Sequence, residues 1–239
     1  MRRRRIQLSG DDQLFVLTGA GISTESGLPT FRDSDGLWKG HDVLEVASVE
    51  GLKRNPRLVW DFYSMRRRDA LAASPNDAHL SLARLEEELG DRFFLLTQNV
   101  DDLHERAGSR RIQHIHGNLF ISRCMACGST FSDTNSYDVT KTLPKCAKCR
   151  GAIRPDIVWF GESLGGMDSI YRQLEKATMF VAIGTSGSVF PAAELVYLAA
   201  TRQVPTYYVG LESPENADGF DEIRLGRATS LVPALFAVT

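Results

Sequence analysis

Residues 14–32, LFVLTGAGISTESGLPTFR, carry the strongest indication of the fold. Leu14 to Thr18 form a continuous apolar run, which is typical of a strand buried on both faces of a sheet. Gly19 and Gly21 follow at once, and the pattern predicts a glycine-rich turn that opens into a helix. Such a turn directs backbone N–H groups and a helix N-terminus at one point, which is a site for a phosphate group.

The glycine spacing departs from the usual dinucleotide-binding fingerprint. Thr24 stands where the third glycine should be, and the next glycine is Gly27. A nicotinamide-dependent dehydrogenase would also need an acidic residue about twenty residues further on, at the end of a second strand. Loop and helix signals occupy that stretch instead, so the sequence argues against hydride transfer.

Composition excludes several classes of protein. The 239 residues are 43% hydrophobic and 24% charged, with a formal net charge of −2, so bulk charge gives no case for a nucleic-acid partner. No apolar stretch reaches the roughly 18 residues of a membrane span. Arg2 to Arg5 lack a following apolar segment, so we expect a frayed, solvated terminus and no secretory signal. We expect a monomeric, cytoplasmic protein.

Four further segments resemble buried strands that end in small or polar residues, at 92–97, 112–115, 179–183 and 206–209. Helical segments alternate with them, at 55–73, 77–89, 102–107 and 191–201. This alternation predicts an α/β fold with a doubly wound, Rossmann-like parallel sheet. Asn55-Pro56 should begin the first helix, Gly90 should end the second and Asp102 should cap the third. Residues 230–239 are too short for a closing helix, so we expect a frayed end.

Two cysteine pairs predict a structural zinc site. Cys124-x-x-Cys127 and Cys146-x-x-Cys149 are eighteen residues apart. Four thiolates form a closed tetrahedral shell with no position for water. The segment between the pairs is polar and too small to hold a core unaided, so the metal would supply its folding free energy. Two redox dithiols are the less favoured alternative.

His116 is a candidate general base. A lone histidine is more often a core or surface residue, but His116 ends an apolar strand at the edge where ligands bind. Alternation along the strand places His114 on the same side. With an ordinary pKa of about 6.5, an imidazole can take a proton from a hydroxyl at neutral pH.

Together these motifs resemble the sirtuins, the NAD-dependent protein lysine deacylases. The resemblance runs from Gly19 to about Ala228 and rests on residues 19–32, 97–101, 116–117 and 184–186 with the cysteine pairs. It implies NAD and structural zinc as cofactors and acyl-lysine proteins or peptides as substrates. It divides the chain into a Rossmann-like domain (residues 1–35, 91–119 and 155–239), a helical insertion with an acyl pocket (36–90) and a zinc-binding module (120–154).

The resemblance also assigns site residues. Catalysis falls to His116 and Asn99, and Asp101 would bind the carboxamide of nicotinamide. The cofactor-binding set that it implies is Gly19, Ala20, Gly21, Ile22, Ser23, Glu25, Thr30, Phe31, Arg32, Trp38, Gln98, Asn99, Val100, Asp101, Gly184, Thr185, Ser186, Gly210, Leu211, Glu212 and Ala228. A substrate peptide would lie as an added strand between residues 158–162 and 187–190. The substrate-binding set is Tyr63, Arg66, Val158, Phe160, Gly161, Glu162, Ser188 and Val189.

Tyr63 and Arg66 lie three residues apart on one predicted helix face. An arginine fork and a phenol suit the carboxylate of a succinyl or malonyl chain. This Tyr-x-x-Arg is similar to the mark of the class III sirtuins, as is Gly36-Leu37-Trp38. The alternative is that Arg66 to Arg68 form a solvated basic face and Tyr63 belongs to the core.

One position departs from the family pattern. Many sirtuins carry asparagine after the strand that ends here at Val209, and this chain has Gly210, so a contact to the adenosine ribose would have to come from backbone or from Glu212. Two other functions stay open at this point. They are a protein ADP-ribosyltransferase, which shares nicotinamide cleavage, and a non-catalytic NAD-sensing, peptide-binding module.

Overall fold

The computed structural model describes residues 4–30 and 42–238. Its strands are β1 (Ile6–Leu8), β2 (Leu14–Thr18), β3 (Phe93–Thr97), β4 (Ile112–His114), β5 (Gly117–Cys124), β6 (Thr130–Ser132), β7 (Ile153–Ile157), β8 (Met179–Ile183), β9 (Thr206–Gly210), β10 (Glu222–Leu225) and β11 (Phe236–Val238). Its α-helices are α1 (Val43–Val46), α2 (Val49–Arg54), α3 (Pro56–Ala72), α4 (Asp77–Leu89), α5 (Leu103–Ala107), α6 (Met167–Lys176), α7 (Leu195–Thr201) and α8 (Ala228–Leu231). None of these helices combines the length and apolarity that crossing a membrane requires.

Six parallel strands form the central sheet, in the order β10-β9-β8-β2-β3-β4. The chain builds outward from β2 through β3 and β4, and then continues on the other side of β2 with β8, β9 and β10. The strand order therefore reverses between β2 and β8, and the crevice at such a switch point is where α/β sheets bind ligands. The strands predicted at 14–18 and 179–183 are confirmed residue for residue, and the other three differ by one residue at one end.

Two apolar clusters cover the two faces of this sheet. One face packs Leu14, Val16 and Val181 against α4 and the C-terminal segment, and the other packs Phe15, Leu17 and Phe180 against α6 and α7. All five residues of β2 and of β8 are buried, because helices cover both faces of the sheet. The predicted doubly wound α/β fold is confirmed.

The two long helices before β3 begin where the sequence predicts. The Asn55 side chain accepts a hydrogen bond from the Leu58 N–H at 3.1 Å, and Pro56 occupies the first turn of α3. Asn76 caps α4 in the same way, and Gly90 ends it. Residues of α1 to α3 form a third apolar cluster with Trp159 beside the sheet.

Three local predictions are wrong. The glycine turn after β2 opens into two 3-10 turns, Ala20–Ile22 and Thr24–Ser26, and not into an α-helix. Asp102 makes no capping bond to α5, because the neighbouring Asp101 accepts the Leu103 N–H at 3.1 Å. The helix predicted at 191–201 begins as a 3-10 turn, and its α-helical part is α7 alone.

The expected frayed ends are replaced by structure within the described residues. β11 pairs in parallel with β1, from Ile6 opposite Phe236 to Leu8 opposite Val238. Leu8 and Leu235 are fully buried in the cluster under α4, so burial of apolar side chains holds both segments to the domain. Arg4 and Arg5 are exposed, as the sequence predicts for a solvated basic run.

A three-stranded antiparallel sheet, in the order β6-β5-β7, carries the four cysteines. Their sulfur atoms all lie within 4.8 Å of one another, with Cys124 and Cys149 Sγ 3.4 Å apart and Cys127 and Cys146 Sγ 3.9 Å apart. Sulfurs about 2.3 Å from a tetrahedral zinc lie about 3.8 Å from one another. The cluster therefore fits the predicted structural zinc ion.

Arg67 joins this cysteine-bearing sheet to α3. Its guanidinium pairs with Asp133 at 2.9 Å, and both side chains are fully buried. Its remaining donors reach the Leu119 carbonyl, the Asn135 carbonyl and the Ser122 hydroxyl at 2.9–3.0 Å. A buried charge is tolerated only when it is paired and hydrogen-bonded in this way. The alternative of a solvated basic face is thus wrong for Arg67, and it holds for the exposed Arg68.

We predict that Arg67→Met destabilises the fold by about 3–5 kcal/mol, because Asp133 is left buried without its partner. Arg68→Met is the matched control, since its exposed side chain should change the free energy of unfolding by less than about 0.5 kcal/mol. Urea unfolding measures both variants. Equal stabilities of the two variants would contradict a structural role for the buried ion pair.

We predict that Cys127→Ser lowers the zinc content below one equivalent per chain and lowers Tm, because three thiolates no longer close the metal shell. Lys148→Ala is the control, since Lys148 lies exposed between two of the cysteines and offers no ligand. Atomic absorption and thermal unfolding, with and without a chelator, give the measurements. A Cys127→Ser protein with full zinc and unchanged Tm would exclude this site.

Candidate active site

The switch-point crevice is built on a close approach of two backbone segments. The Gly19 N–H donates to the Ile183 carbonyl at 3.0 Å, and the Gly21 N–H donates to the Gly184 carbonyl at 2.8 Å. A Cβ atom on Gly21 would lie 2.7 Å from the Gly184 oxygen, which excludes any side chain there. The glycines of the turn therefore bring β2 and β8 together at their carboxyl ends.

This packing changes the role expected for the turn. Four N–H groups that could have faced a phosphate instead donate to protein carbonyls, and they are those of Gly19, Gly21, Ile22 and Ser23. The Ile22 side chain is fully buried in the core. The helix expected after this turn is replaced by 3-10 turns, and the phosphate site that the sequence predicts at the turn stays a prediction.

Ser23, Asn99 and Asp101 form a connected polar cluster on one wall of the crevice. The Asn99 amide donates to Ser23 Oγ at 3.1 Å, and Ser23 Oγ donates to Asp101 Oδ2 at 3.3 Å. All three side chains are at least nine-tenths buried. Burial raises the pKa of Asp101 above its ordinary value, and the bonds from the Leu103 N–H and Ser23 oppose that shift.

Two buried histidines lie behind Ser23. His79 Nε2 is 3.4 Å from Ser23 Oγ, and His104 Nε2 is 3.0 Å from Thr18 Oγ1. Their rings contact each other edge to face at 4.8 Å. Burial lowers the pKa of both histidines, that of His79 to about 4, so both are neutral at pH 7. Nothing in the local sequence signals the contact of His79 with a turn 56 residues away.

His116 and Gln98 lie across the carboxyl ends of β3 and β4. The Nδ1 atom of His116 is 3.0 Å from the Gln98 carbonyl oxygen. A carbonyl only accepts, so Nδ1 carries the proton and Nε2 keeps a free lone pair. Burial lowers the pKa of His116, with the Gln98 bond opposing it, so the ring is neutral at pH 7. A neutral imidazole with a free Nε2 can accept a proton.

His114 has the opposite charge state. Its Nδ1 lies 2.7 Å from the Asn99 carbonyl oxygen and its Nε2 lies 2.7 Å from Glu105 Oε1. Both partners accept, so both nitrogens need a proton and the ring is an imidazolium. Burial alone would lower its pKa, but the hydrogen bond and charge of Glu105 outweigh burial and raise it. His114 thus ties Asn99 to α5.

The predicted acyl pair lies on the inner side of α3. Tyr63 is fully buried, and its hydroxyl accepts a hydrogen bond from the Trp159 indole N–H at 2.8 Å. Burial raises the pKa of Tyr63, so the phenol stays protonated and can donate. Arg66 is half-buried, and desolvation lowers its pKa while the nearby Tyr63 and Asp101 oppose that shift. The pair is therefore neither a solvated face nor remote from the crevice.

Each of the two segments predicted to flank a peptide exposes some of its residues, while Trp159 and Gly187 within them are buried. Phe160, Val189 and Phe190 keep 51%, 40% and 68% of their surface in solvent, and Gly161 has open space where a Cβ would lie. The Val158 N–H donates to the His116 carbonyl at 2.9 Å, so the first of these segments begins next to the candidate base. Ser188 shares a hydrogen bond with Ser186 at 2.8 Å.

Two predicted glutamates are engaged within the protein. Glu162 binds Arg154 at 2.6–2.7 Å and accepts the Trp159 N–H at 2.9 Å. Glu25 accepts the N–H and hydroxyl of Thr229 at 3.2 and 2.8 Å, which ties the glycine turn to α8. Both carboxylates thus orient the elements around the crevice.

The remaining predicted contact residues differ in how far they are buried. Ala228 is buried and Ala20 and Val100 are half-buried beside the crevice, while Thr30, Leu211 and Glu212 are exposed. Thr185 Oγ1 accepts a hydrogen bond from the Gln98 side-chain amide at 2.8 Å, which joins the segments that follow β8 and β3.

Some predicted residues lie outside the part of the chain that the structure describes. They are Phe31, Arg32 and Trp38, together with the whole of Gly36-Leu37-Trp38.

Comparison with known proteins identifies the family. The Sir2 family model matches residues 19–191. An NAD-dependent protein deacylase of Caulobacter vibrioides is 50% identical over 95% of this chain and 96% of its own length, and one from Escherichia coli K12 is 48% identical over 92% of this chain and 80% of its own.

Solved structures agree with this assignment. A Sir2 homologue in complex with NAD has a TM-score of 0.87 at 38% identity, over 95% of this chain and 89% of that one. A Sir2–p53 peptide–NAD+ complex has a TM-score of 0.80 at 30% identity, over 92% and 90%. The crevice, the cysteine cluster and these matches support NAD and zinc as cofactors. The chain belongs to the Sir2 family.

Proposed function

We propose that this protein removes acyl groups from protein lysines with consumption of NAD and one water, releasing free lysine, nicotinamide and an O-acyl-ADP-ribose. The observation that carries the proposal is the neutral His116, with its free Nε2, beside the Ser23–Asn99–Asp101 cluster in the switch-point crevice. A relative that shares 50% of its aligned residues with this chain is named NAD-dependent protein deacylase, which supports the same class of reaction.

His116 would act as the general base. When bound, NAD supplies a ribose carbon whose nicotinamide substituent is already a cationic leaving group. The free Nε2 of His116 would accept the proton of the ribose hydroxyl that receives the acyl group. The hydrogen bond from Nδ1 to the Gln98 carbonyl holds the tautomer and stabilises the charge that forms on the ring.

Asn99 and Asp101 would orient the nicotinamide ring. Asp101 has a carboxylate oxygen that can accept a carboxamide N–H, and the amide of Asn99 is fixed through Ser23. His79 and His104 behind them are buried and neutral, so these two rings add no positive charge to the pocket. A desolvated pocket favours loss of the cationic substituent as neutral nicotinamide.

Tyr63 and Arg66 would extend the substrate range to succinyl and malonyl groups. The Tyr63 hydroxyl already accepts from Trp159, so its proton is directed elsewhere, and Arg66 lies close enough for each of the two groups to shift the pKa of the other. A carboxylate at the end of an acyl chain would accept from both donors. The peptide itself would add a strand between residues 158–162 and 187–190, which recognises backbone more than sequence.

We predict that the wild-type protein with NAD and acyl-lysine peptides yields nicotinamide and an O-acyl-ADP-ribose by mass spectrometry. His116→Ala should lower kcat by about 10²–10⁴-fold while ADP-ribose still binds. Because burial lowers the pKa of His116, the neutral base persists below pH 6.5, and kcat/KM should fall only at still lower pH.

The alternative functions give other products. ADP-ribosylated peptide would identify an ADP-ribosyltransferase. Bound NAD without nicotinamide release, and no effect of His116→Ala beyond binding, would identify a non-catalytic sensor. Either outcome would overturn the proposed deacylation.

We predict that Arg66→Met lowers kcat/KM on a succinyl-lysine peptide by about 10–100-fold, the value of a charged hydrogen bond, and leaves the acetyl-lysine rate within about twofold. Arg68→Met is the control, because its exposed side chain lies on the same helix away from the crevice. Steady-state kinetics on both peptides give the answer. A succinyl rate that survives Arg66→Met would remove the acidic acyl groups from the proposal.

A further inference from the structure

We propose that Tyr208 is a positioning residue of the cofactor site, whose hydroxyl fills the space beside Gly210 and holds the Gly184–Ser188 loop in the orientation that binds NAD. The inference rests on the proposed function, because it concerns the NAD which that function consumes. It explains why this chain carries glycine at the end of β9, at the rim of the crevice.

Gly210 lacks a side chain because a tyrosine occupies its place. A Cβ atom on Gly210 would lie 2.2 Å from Tyr208 Oη and 2.6 Å from Cζ. The backbone of Gly210 is in strand conformation with no left-handed φ, so backbone geometry does not require glycine there. A larger residue at this position would therefore have to displace the Tyr208 ring.

The Tyr208 hydroxyl reaches from β9 to the loop that follows β8. It donates to the Thr185 carbonyl at 2.9 Å, and the side chain is only 3% exposed. Burial raises the pKa of this phenol to about 12, so the proton that it donates is retained at every working pH. The ring packs against Phe220 at 5.4 Å, which fixes its direction.

This bond sets the orientation of one peptide group at the crevice. In a trans peptide the carbonyl and the following N–H point in opposite directions. With the Thr185 carbonyl turned into the core, the N–H of the exposed Ser186 points away from it, and no acceptor for that N–H occurs in the described part of the chain. The loop therefore presents a backbone donor suited to a phosphate or ribose oxygen.

The side chain of Thr185 also connects the loop to Gln98. Its hydroxyl accepts from the Gln98 amide at 2.8 Å, and the Gln98 carbonyl accepts from His116 Nδ1. Backbone bonds from Gly184 to Val209 and from Glu215 to Ser186 hold the two sides of the loop. The Tyr208 hydroxyl fixes the orientation of the Thr185–Ser186 peptide group, which lies between these two bonds.

The first test removes the hydroxyl alone. In Tyr208→Phe the ring and its contact with Phe220 remain, so the fold should be kept. We expect the Kd for ADP-ribose, measured by calorimetry, and the KM for NAD to rise about three- to tenfold, the value of one neutral hydrogen bond, with kcat unchanged. Tyr207→Phe is the matched control, since Tyr207 precedes it in β9 and packs on the opposite face of the sheet.

The second test is a double-mutant cycle for the packing. Gly210→Ala should lower Tm by at least about 2–4 °C and weaken ADP-ribose binding, because its Cβ displaces the tyrosine. In a Tyr208→Val background the same change should cost little in either quantity. Equal costs in both backgrounds would show that the tyrosine does not select Gly210.

These results separate the inference from the function on which it rests. A wild-type protein that binds ADP-ribose and releases nicotinamide, but shows the same Kd and KM in Tyr208→Phe, overturns the positioning role alone. A uniform loss of kcat with unchanged Kd also contradicts it, because the loop would then act on the reaction and not on binding. A wild-type protein that neither binds ADP-ribose nor releases nicotinamide refutes both.

Discussion

The contact between the glycine turn and the Gly184 backbone is the constraint on which the molecule depends. Two main-chain hydrogen bonds, from Gly19 and from Gly21, close β2 onto β8 at the switch point. They form only because neither glycine has a Cβ, since one would lie within 2.8 Å of the Gly184 oxygen. The crevice, the polar cluster and the loop after β8 are all placed relative to this junction.

Protonation divides the histidines around that crevice into two kinds. His79, His104 and His116 are neutral because burial penalises an imidazolium that has no carboxylate partner. His114 is charged because both of its nitrogens face acceptors, one of them the carboxylate of Glu105. A base can thus lie two residues from a cation, because the environment of each ring and not its place in the chain sets its charge.

The cysteine-bearing sheet is coupled to the rest of the molecule through buried polar and aromatic contacts. Trp60 of α3 packs in one cluster with Cys124 and Val139, and Arg67 satisfies Asp133 within the module. Side chains of α3 therefore complete the core of the segment between the cysteine pairs, in addition to the metal that the sequence predicts for it.

Much of the fold was determined by the sequence alone. Short apolar segments predicted five of the six strands of the central sheet, β2, β3, β4, β8 and β9, but not β10, and Asn-Pro and glycine signals predicted α3 and α4. The cysteine spacing predicted a cluster that the structure brings within 4.8 Å. These features depend on local propensity and on short repeating patterns, which a single stretch of chain contains in full.

Only the tertiary structure decided how the site residues meet. Ser23 contacts Asn99, Asp101 and His79, which lie 56 to 78 residues along the chain. No local pattern encodes such contacts or the burial that sets a pKa. For the same reason Gly210 was an unexplained departure in the sequence. It is accompanied by a tyrosine two residues away on the same strand, whose hydroxyl reaches the Thr185 carbonyl in the loop after β8.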